Sequence, residues 1–375
     1  MEDAAAKRLK ISPEHISKIT IVHKALDARR YKNAPIYNVF TLDVVFTDDI
    51  KEINLLQHFR RDKNIEEAHD VHWEMPKQTS ARHSGSQPII AGFGPAGMFC
   101  ALTLCRWGYQ PIILERGHDI DARHSDVETF WKSGILDAIS NVQFGEGGAG
   151  TFSDGKLTTR IHDSKISQVL DDFIEAGAPA EIRYLHKPHI GTDILRTVVR
   201  NIRQKIISLG GRIYFSSQMT DLQLTGSSLK TVTVNNKDQF PCSTLFLGIG
   251  HSARDTYEML YKKGVEMQAK PFAVGVRIEH PQALINEAQY GQDADDSRLP
   301  TADYMLTFQN RNKGLSCYSF CMCPGGKVVA AASEKDRLTT NGMSYYARDS
   351  GIANSALLSP VTPADFGWYR ISAQI

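Results

Sequence analysis

Gly92, Gly94 and Gly97 stand at GxGxxG spacing within IIAGFGPAGMFCALTL (Ile89–Leu104). Bare backbone at that spacing suits the holding of a diphosphate. The first glycine permits a tight turn, the second lets the backbone approach a pyrophosphate, and the third lets a helix pack closely on a strand. The anion then rests on a helix N-terminus, where free N–H groups and the helix dipole attract it. The spacing alone is weak evidence and needs a strand before it and a helix after it. Glu115 follows 18 residues beyond Gly97. An acid there accepts hydrogen bonds from adenosine ribose hydroxyls and repels a 2′-phosphate.

Other residues could join this chemistry. Pro95 and Ala96 fill the last gap of the motif, and Arg116 and Arg123 offer cations near a diphosphate. The stretch QFGEGGAGTFSDGKL (Gln143–Leu157) offers Gly147, Gly148, Ala149, Gly150 and Thr151 as backbone that can press against an extended cofactor. Its two phenylalanines, Phe144 and Phe152, argue against a merely flexible loop. Together these features favour FAD over NAD. A second glycine turn, Gly248 and Gly250, precedes His251, which reads equally well as a structural histidine. Cys321 and Cys323 form CxC rather than CxxC; in an extended segment they share a face, and the simplest reading is two structural thiols in a core strand. His186 and His189 lack a third metal ligand. Asp193 reads as a first-turn acid favoured by the helix dipole, and QDADDSRLP as a solvated loop. No residue declares itself catalytic, and no metal site is expected.

The elements that would position these groups follow from apolar patterning. PIIA is a short buried strand, PAGMFCALTLCRW a helix with proline in its first turn, and QPIILERG the next strand. Strand, glycine turn, helix and strand within about 30 residues make one βαβ unit. ISQVLDDFIEAG and TDILRTVVRNIRQKIISLGG have one apolar helical face each. RIYFSSQ reads as a strand, DLQLTGSSLKTVTVNN as a hairpin around Gly226, and STLFLGIGHSA as a buried strand entering the second glycine turn. Upstream, ISKITIVHKALDA and IYNVFTLDVVF suit strands and DIKEINLLQHFRR a helix, a small α+β module. Lys77–Gln87 is polar and reads as a linker. The boundaries expected are a small domain over 1–84, a cofactor domain over 85–252 and a β-rich substrate domain over 253–375.

Composition bounds the rest. The 375 residues suffice for two or three domains. Lys plus Arg (43) nearly balances Asp plus Glu (42), which gives no electrostatic case for a nucleic-acid partner. Six clustered cysteines are not a secreted disulfide scaffold; a reducing, cytoplasmic setting is expected. The opening MEDAAAKRLKIS lacks the apolar core of a secretory signal. Pro88–Cys105 is free of charge over 18 residues, but its glycine turn and two prolines suit a strand and buried helix better than a membrane span.

Taken together, GFGPAG, ILERG, GEGGAGTFSDGKL, HIGTD, GIGHSARDTYEML, KPFAVGVRIEHP and YSFCMCPGG with NGMSYYARDSGIANSA resemble the uncharacterised FAD-dependent dehydrogenase (oxidoreductase) family, within the glutathione-reductase-like flavoproteins. ALDARR (Ala25–Arg30) is similar to a motif of that family's leading domain. The resemblance implies an α/β chain: a Rossmann-like FAD/NAD(P)-binding domain, a mixed α+β substrate part and a small N-terminal α+β domain. It implies FAD diphosphate at Gly92, Gly94, Pro95, Ala96 and Gly97, ribose at Glu115, and Arg123 with Gly147–Thr151 along the cofactor. LGIGHS (Leu247–Ser252) would pass near it. The substrate would be a small molecule, with NAD(P)H a candidate electron donor although no second GxGxxG is present. Relatives carry a further glycine-rich flavin turn near the C-terminus that this sequence lacks, so the chain resembles a C-terminally truncated member. A non-catalytic product keeping only the ADP half of the site, and an NAD-dependent dehydrogenase, are the alternatives.

Overall fold

A computed structural model describes residues 1–29, 35–69, 73, 87–159 and 161–366. The expected linker, apart from Gln87, lies outside the described residues, as do Arg30 of ALDARR and the last nine residues. The chain divides into two compact units.

The first unit gathers Met1–Met75 with Lys156–Glu175 and Pro179–Pro188. The β-branched and aromatic runs form antiparallel strands, Ile16–Asp27 and Tyr37–Phe46, with Ile19 opposite Val44 and Ile21 opposite Leu42. A helix at Glu52–His58 follows. A helix at Glu2–Leu9, which apolar spacing does not announce, precedes them. The amphipathic segment at 165–175 is helical as its period requires. Beyond it, Tyr184 and His186 flank the first strand: Lys24 N donates to Tyr184 O at 2.7 Å and His186 N to Lys24 O at 2.9 Å.

In the second unit a mixed α/β arrangement surrounds one parallel sheet. Its strands lie in the order Arg212–Tyr214, Ile112–Leu114, Ile89–Ala91, Leu245–Leu247, each parallel to its neighbour. Ile89, Ile90 and Ala91 are all buried, as expected of a strand covered on both faces. Complete burial of an isoleucine is worth roughly 1.5–3 kcal/mol, so this short strand anchors the glycine turn at its end. On one face, Ile89, Ala91, Ile112 and Leu114 form a core with Met219, Leu222, Val232 and Val234 of a three-stranded antiparallel sheet (Met219–Thr225, Ser228–Val234, Asp238–Pro241). The helix Pro95–Arg106 buries Ala101 and Leu102, and the helix Thr192–Ser208 buries Val198, Ile202 and Ile206. The uncharged run at 88–105 is thus strand, turn and twelve-residue helix, and no helix among the described residues is long and apolar enough to cross a membrane. Leu245–Leu247 was expected to be buried. It is an edge strand instead, with Phe246 and Leu247 exposed.

The rest of the unit is β-rich. A four-stranded antiparallel sheet runs in the order Phe272–Pro281, Ile352–Val361, Leu315–Cys323, Thr307–Asn310. A strand pair, Gly326–Ala330 with Thr340–Ser344, packs Val329 and Met343 against Val127, Val142 and Phe152. The Cys321–Cys323 strand does not keep simple alternation: the register shifts between Phe320 and Cys323, and Cys321 has φ 47°. The two thiols therefore do not make the shared face expected of an extended strand; Cys323 is fully buried.

Candidate functional site

The parallel sheet reverses direction of winding at Ile89–Ala91. From that strand the chain first adds Ile112–Leu114 on one side and later Leu245–Leu247 on the other. In open α/β sheets a crevice forms beyond the carboxyl ends of the strands at such a reversal, and ligands bind there. A cleft of about 460 Å³ occupies that place, within the usual range for small-molecule sites. Its walls include Gly92, Gly94, Pro95, Ala96, Glu115, Arg116, Gly148, Ala149, Gly248 and Gly250.

The three glycines of the turn have different reasons to be glycine. Gly92 has φ 97°, and a Cβ there would lie closer than 3.0 Å to the Gly248 carbonyl oxygen. A Cβ at Gly97 would strike the Gly92 carbonyl oxygen within the same limit. Both positions are demanded by the chain's own packing. At Gly94 a Cβ would meet only ordinary contacts, 3.6 Å to Gly148 Cα being the nearest. Its φ of −77° suits any residue. Nothing in the folded chain requires a glycine there, yet the position opens on the cleft. Gly94 also caps the helix Pro95–Arg106 with no side-chain partner. The first-turn N–H groups after Pro95 have no intrahelical acceptor and carry the positive end of the dipole. Backbone without a side chain, at a helix start, facing a cleft, suits a diphosphate.

Glu115 reaches the same turn and is almost wholly buried. Its Oε2 accepts from Phe93 N at 2.7 Å, and its Oε1 from Gly117 N at 2.9 Å and Gly145 N at 3.0 Å. The carboxylate therefore ties together the glycine turn, its own strand exit and the glycine-rich loop. A carboxylate has about four acceptor sites, and the three amides take three of them.

The glycine-rich loop is threaded through the fold. Gly147 N donates to Phe93 O at 2.9 Å, and a Cβ at Gly148 would lie 3.1 Å from Gly94 Cα. Gly148 and Ala149 line the cleft, whereas Gly147, Gly150 and Thr151 do not. Phe144 and Phe152 are buried, which accounts for aromatic residues in so glycine-rich a stretch. The loop is moored to the strand pair by Gln143 Nε2 on Ala331 O (3.1 Å) and Asn341 Nδ2 on Phe152 O (3.0 Å).

Arg123 was expected along the cofactor; the structure places it elsewhere. Its side chain is fully buried, with Nε on Asn141 O (2.8 Å) and the other nitrogens on Val142 O (2.9 Å), Gly145 O (3.3 Å) and Glu146 O (2.5 Å). The planar guanidinium matches an array of loop carbonyls and does not line the cleft. It is a strut under the loop. Next to it, Glu146 is buried with Oε2 on Ile120 N (2.7 Å) and 3.2 Å from Arg203. Burial pushes its carboxyl up to about 7, against the opposing pull of Ile120 N–H and Arg203.

The second glycine turn closes the cleft opposite the first. Gly248 N donates to Ala91 O at 2.8 Å, and a Cβ at Gly248 would lie 3.2 Å from Gly97 N. His251 lines the cleft, its Nδ1 2.8 Å from Ser252 Oγ. Ser217, Met219, Thr256, Tyr257 and Leu260 complete the wall. Sequence patterning did not single these residues out. The signal available was the apolar period of RDTYEMLYK directly after the glycine turn, which forms the helix Arg254–Lys262.

The remaining candidates find partners away from the cleft. His186 Nδ1 lies 3.2 Å from His23 Nε2, whereas His189 Nε2 meets Tyr346 O at 3.0 Å. Asp193 sits in the first turn of its helix and accepts from Tyr346 N at 2.9 Å. Arg348 closes on the buried Asp154 with Nε–Oδ1 at 3.0 Å, so HIGTD, TFSDG and SYYARD meet in one region.

Comparison with known proteins bears on this site. An uncharacterized protein of Clostridium beijerinckii is 50% identical over 371 residues, covering 98% of this chain and 67% of that protein. The chain belongs to that protein's family. It spans about two thirds of the length of this relative. Residues 271–373 match the family model described as "FAD-dependent protein, C-terminal domain-like". That stretch holds all four strands of the antiparallel sheet and begins beyond the cleft-lining helix. Among solved structures, THI4 of Thermovibrio ammonificans is 16% identical, with 48% of this chain and 64% of that one covered and a TM-score of 0.32. The flavin-dependent brominase Bmp2 is 11% identical, with coverages of 76% and 58% and a TM-score of 0.38. Superpositions of that size assign neither fold nor function.

Proposed function

We propose that the chain is an FAD-dependent oxidoreductase acting on a small-molecule substrate, with the ADP moiety of FAD held on the Gly92–Gly97 turn. The observation that carries this reading is Gly94: a glycine that the fold does not need, at an uncapped helix start, open to the cleft. The strand order supports it, being that of the first four strands of a Rossmann-type sheet. In this reading the diphosphate rests on Gly94, Pro95 and Ala96, with Gly148 opposite, and the ribose hydroxyls meet the remaining acceptor site of Glu115. Apart from the stretches gathered into the first unit, residues 85–252 hold the cofactor and 253–375 the substrate.

FAD, when bound, supplies two-electron redox chemistry through its isoalloxazine ring. The chain's own groups bind and orient it. Glu115 holds the turn in shape through three amides, and Arg123 and Glu146 brace the loop behind it. NAD carries the same ADP half, so the turn alone does not separate the two cofactors; the match of residues 271–373 to FAD-dependent proteins favours FAD. NAD(P)H then fits the role of electron donor. Titrating the chain with FAD and with NAD tests the assignment. Tighter binding of FAD, with bleaching of the bound flavin by reductant, supports it; tighter binding of NAD overturns it in favour of an NAD-dependent dehydrogenase.

A further inference from the structure

Glu146 is a fully buried acid in the middle of the glycine-rich loop, and it does not line the cleft. Its neighbours in the chain are the loop's ties to the glycine turn. Gly145 N donates to Glu115 Oε1 at 3.0 Å, Gly147 N donates to Phe93 O at 2.9 Å, and a Cβ on Gly148 would lie 3.1 Å from Gly94 Cα. Glu146 itself donates its N–H to His118 O at 3.1 Å, and its carbonyl oxygen accepts from Arg123 Nη1 at 2.5 Å. A shift of this residue therefore strains both ties and the Gly148–Gly94 contact.

The carboxyl is matched on one oxygen only. Oε2 accepts from Ile120 N at 2.7 Å, at the start of the helix Ile120–Ser133, and lies 3.2 Å from Arg203 Nη1. Oε1 is buried with no hydrogen-bond partner among the described residues, and Arg203 Nε beside it in the pair is likewise unmatched. The charged groups around the carboxyl come from two elements. Asp119, which caps the helix Ile120–Ser133, stands there with Asp121 and Arg123; Arg200 and Arg203 come from the helix Thr192–Ser208. The two acids oppose the arginines, and Asp121 takes Arg200 for itself, with Nε at 3.3 Å. A neutral carboxyl leaves one hydroxyl unmatched in this place, whereas an ionised one leaves a buried oxyanion unmatched, the larger cost. Burial accordingly pushes the carboxyl up to about 7, against the pull of Ile120 N–H and Arg203.

We infer that Glu146 is a positioning residue that takes its instruction from a proton: the protonated carboxyl seats the glycine-rich loop against the turn, and ionisation loosens the loop and weakens the hold of the cleft on a dinucleotide diphosphate. Hydrating the ionised Oε1 draws residues 145–148 away from Glu115, Phe93 and Gly94. It also adds a negative charge to the loop whose Gly148 lines the cleft. The inference rests on the diphosphate reading of the cleft. ADP-ribose titrated calorimetrically into the full chain between pH 6 and pH 8 tests it; its diphosphate, esterified at both ends, does not titrate over that range. The competent fraction falls as the carboxyl ionises, so Kd rises by about tenfold across the range. At about pH 7 binding takes up about half a proton, read from the heats in buffers of differing ionisation enthalpy. Glu146→Gln keeps the acceptor for Ile120 N–H and cannot ionise. It has a flat profile, takes up no proton, and at pH 8 binds more tightly than the unaltered chain, a gain that a role in packing alone does not give. Circular dichroism shows whether the variant is folded, and the slope and proton uptake of the unaltered chain stand independently of it. A flat profile in the unaltered chain overturns the inference alone, as does a slope that persists in Glu146→Gln and so belongs to another group, such as His251 of the cleft wall. Absence of binding by ADP-ribose at every pH overturns the diphosphate reading and the inference with it.

Discussion

Alanine substitution of the three turn glycines separates architecture from ligand binding. Gly92→Ala forces a side chain into φ 97° and against the Gly248 carbonyl. The left-handed backbone costs about 1–2 kcal/mol and the overpacking about 1–3 kcal/mol, so the variant loses about 2–5 kcal/mol of stability. Gly97→Ala meets the Gly92 carbonyl; backbone cannot rotate aside, and about 1–3 kcal/mol is lost. Gly94→Ala has room and an ordinary φ. Its reduced freedom in the unfolded chain offsets the slightly poorer helix cap, and stability changes by no more than about 0.5 kcal/mol. Binding behaves in the opposite sense. In the proposed reading a methyl at Gly94 intrudes on the diphosphate, and loss of two hydrogen bonds to a charged group amounts to about 3–6 kcal/mol, more than about a hundredfold in Kd. Urea denaturation without nucleotide gives the first quantity and calorimetric titration with ADP the second. If Gly94→Ala destabilises as Gly92→Ala does, or if it binds ADP as tightly as the unaltered chain, the reasoning is refuted.

The loop behind the turn yields two further outcomes. The Glu146 carboxyl is raised from 4.5 to about 7, so the folded chain binds a proton there that the unfolded chain releases; its contribution to stability is fully present below about pH 4.5 and is lost as pH rises through about 7. Between pH 5 and 8 the unaltered protein should therefore lose up to about 3 kcal/mol relative to Glu146→Gln, and parallel urea-denaturation profiles for the two would show otherwise. Arg123→Met leaves several buried carbonyls without a donor and should cost at least about 3 kcal/mol in chemical denaturation, whereas a variant of unchanged stability and weakened FAD binding would return Arg123 to the cofactor.

Much of the scaffold was legible in the sequence because it rests on local periodicity. Ile89–Ala91 is uniformly apolar, and Val198, Ile202 and Ile206 recur at helical spacing; each is buried in the element so expected. The glycine turn was legible because its spacing carries a physical requirement, and the folded chain divides that requirement between packing at Gly92 and Gly97 and open space at Gly94. The place of Arg123, buried on loop carbonyls and away from the cleft lining, has a tertiary origin. An arginine on a helix looks like a surface cation until the carbonyls of Asn141–Glu146 are folded onto it. Glu115 was read only as a ligand acceptor, since its amide donors come from Phe93, Gly117 and Gly145. The far wall, with Ser217, Thr256 and Leu260, lies more than a hundred residues along the chain from the turn it faces, and no local pattern connects the two. At Cys321 a bulge, invisible to alternation, rotates the strand.

The central claim is that the cleft at the glycine turn holds the ADP half of FAD. Competition between ADP and FAD on the purified chain, read from flavin fluorescence, tests it most directly. The account predicts that FAD binds at a single site and that ADP displaces it competitively, with neither binding measurably to Gly94→Val. FAD binding that ADP leaves untouched, or that survives in Gly94→Val, contradicts it.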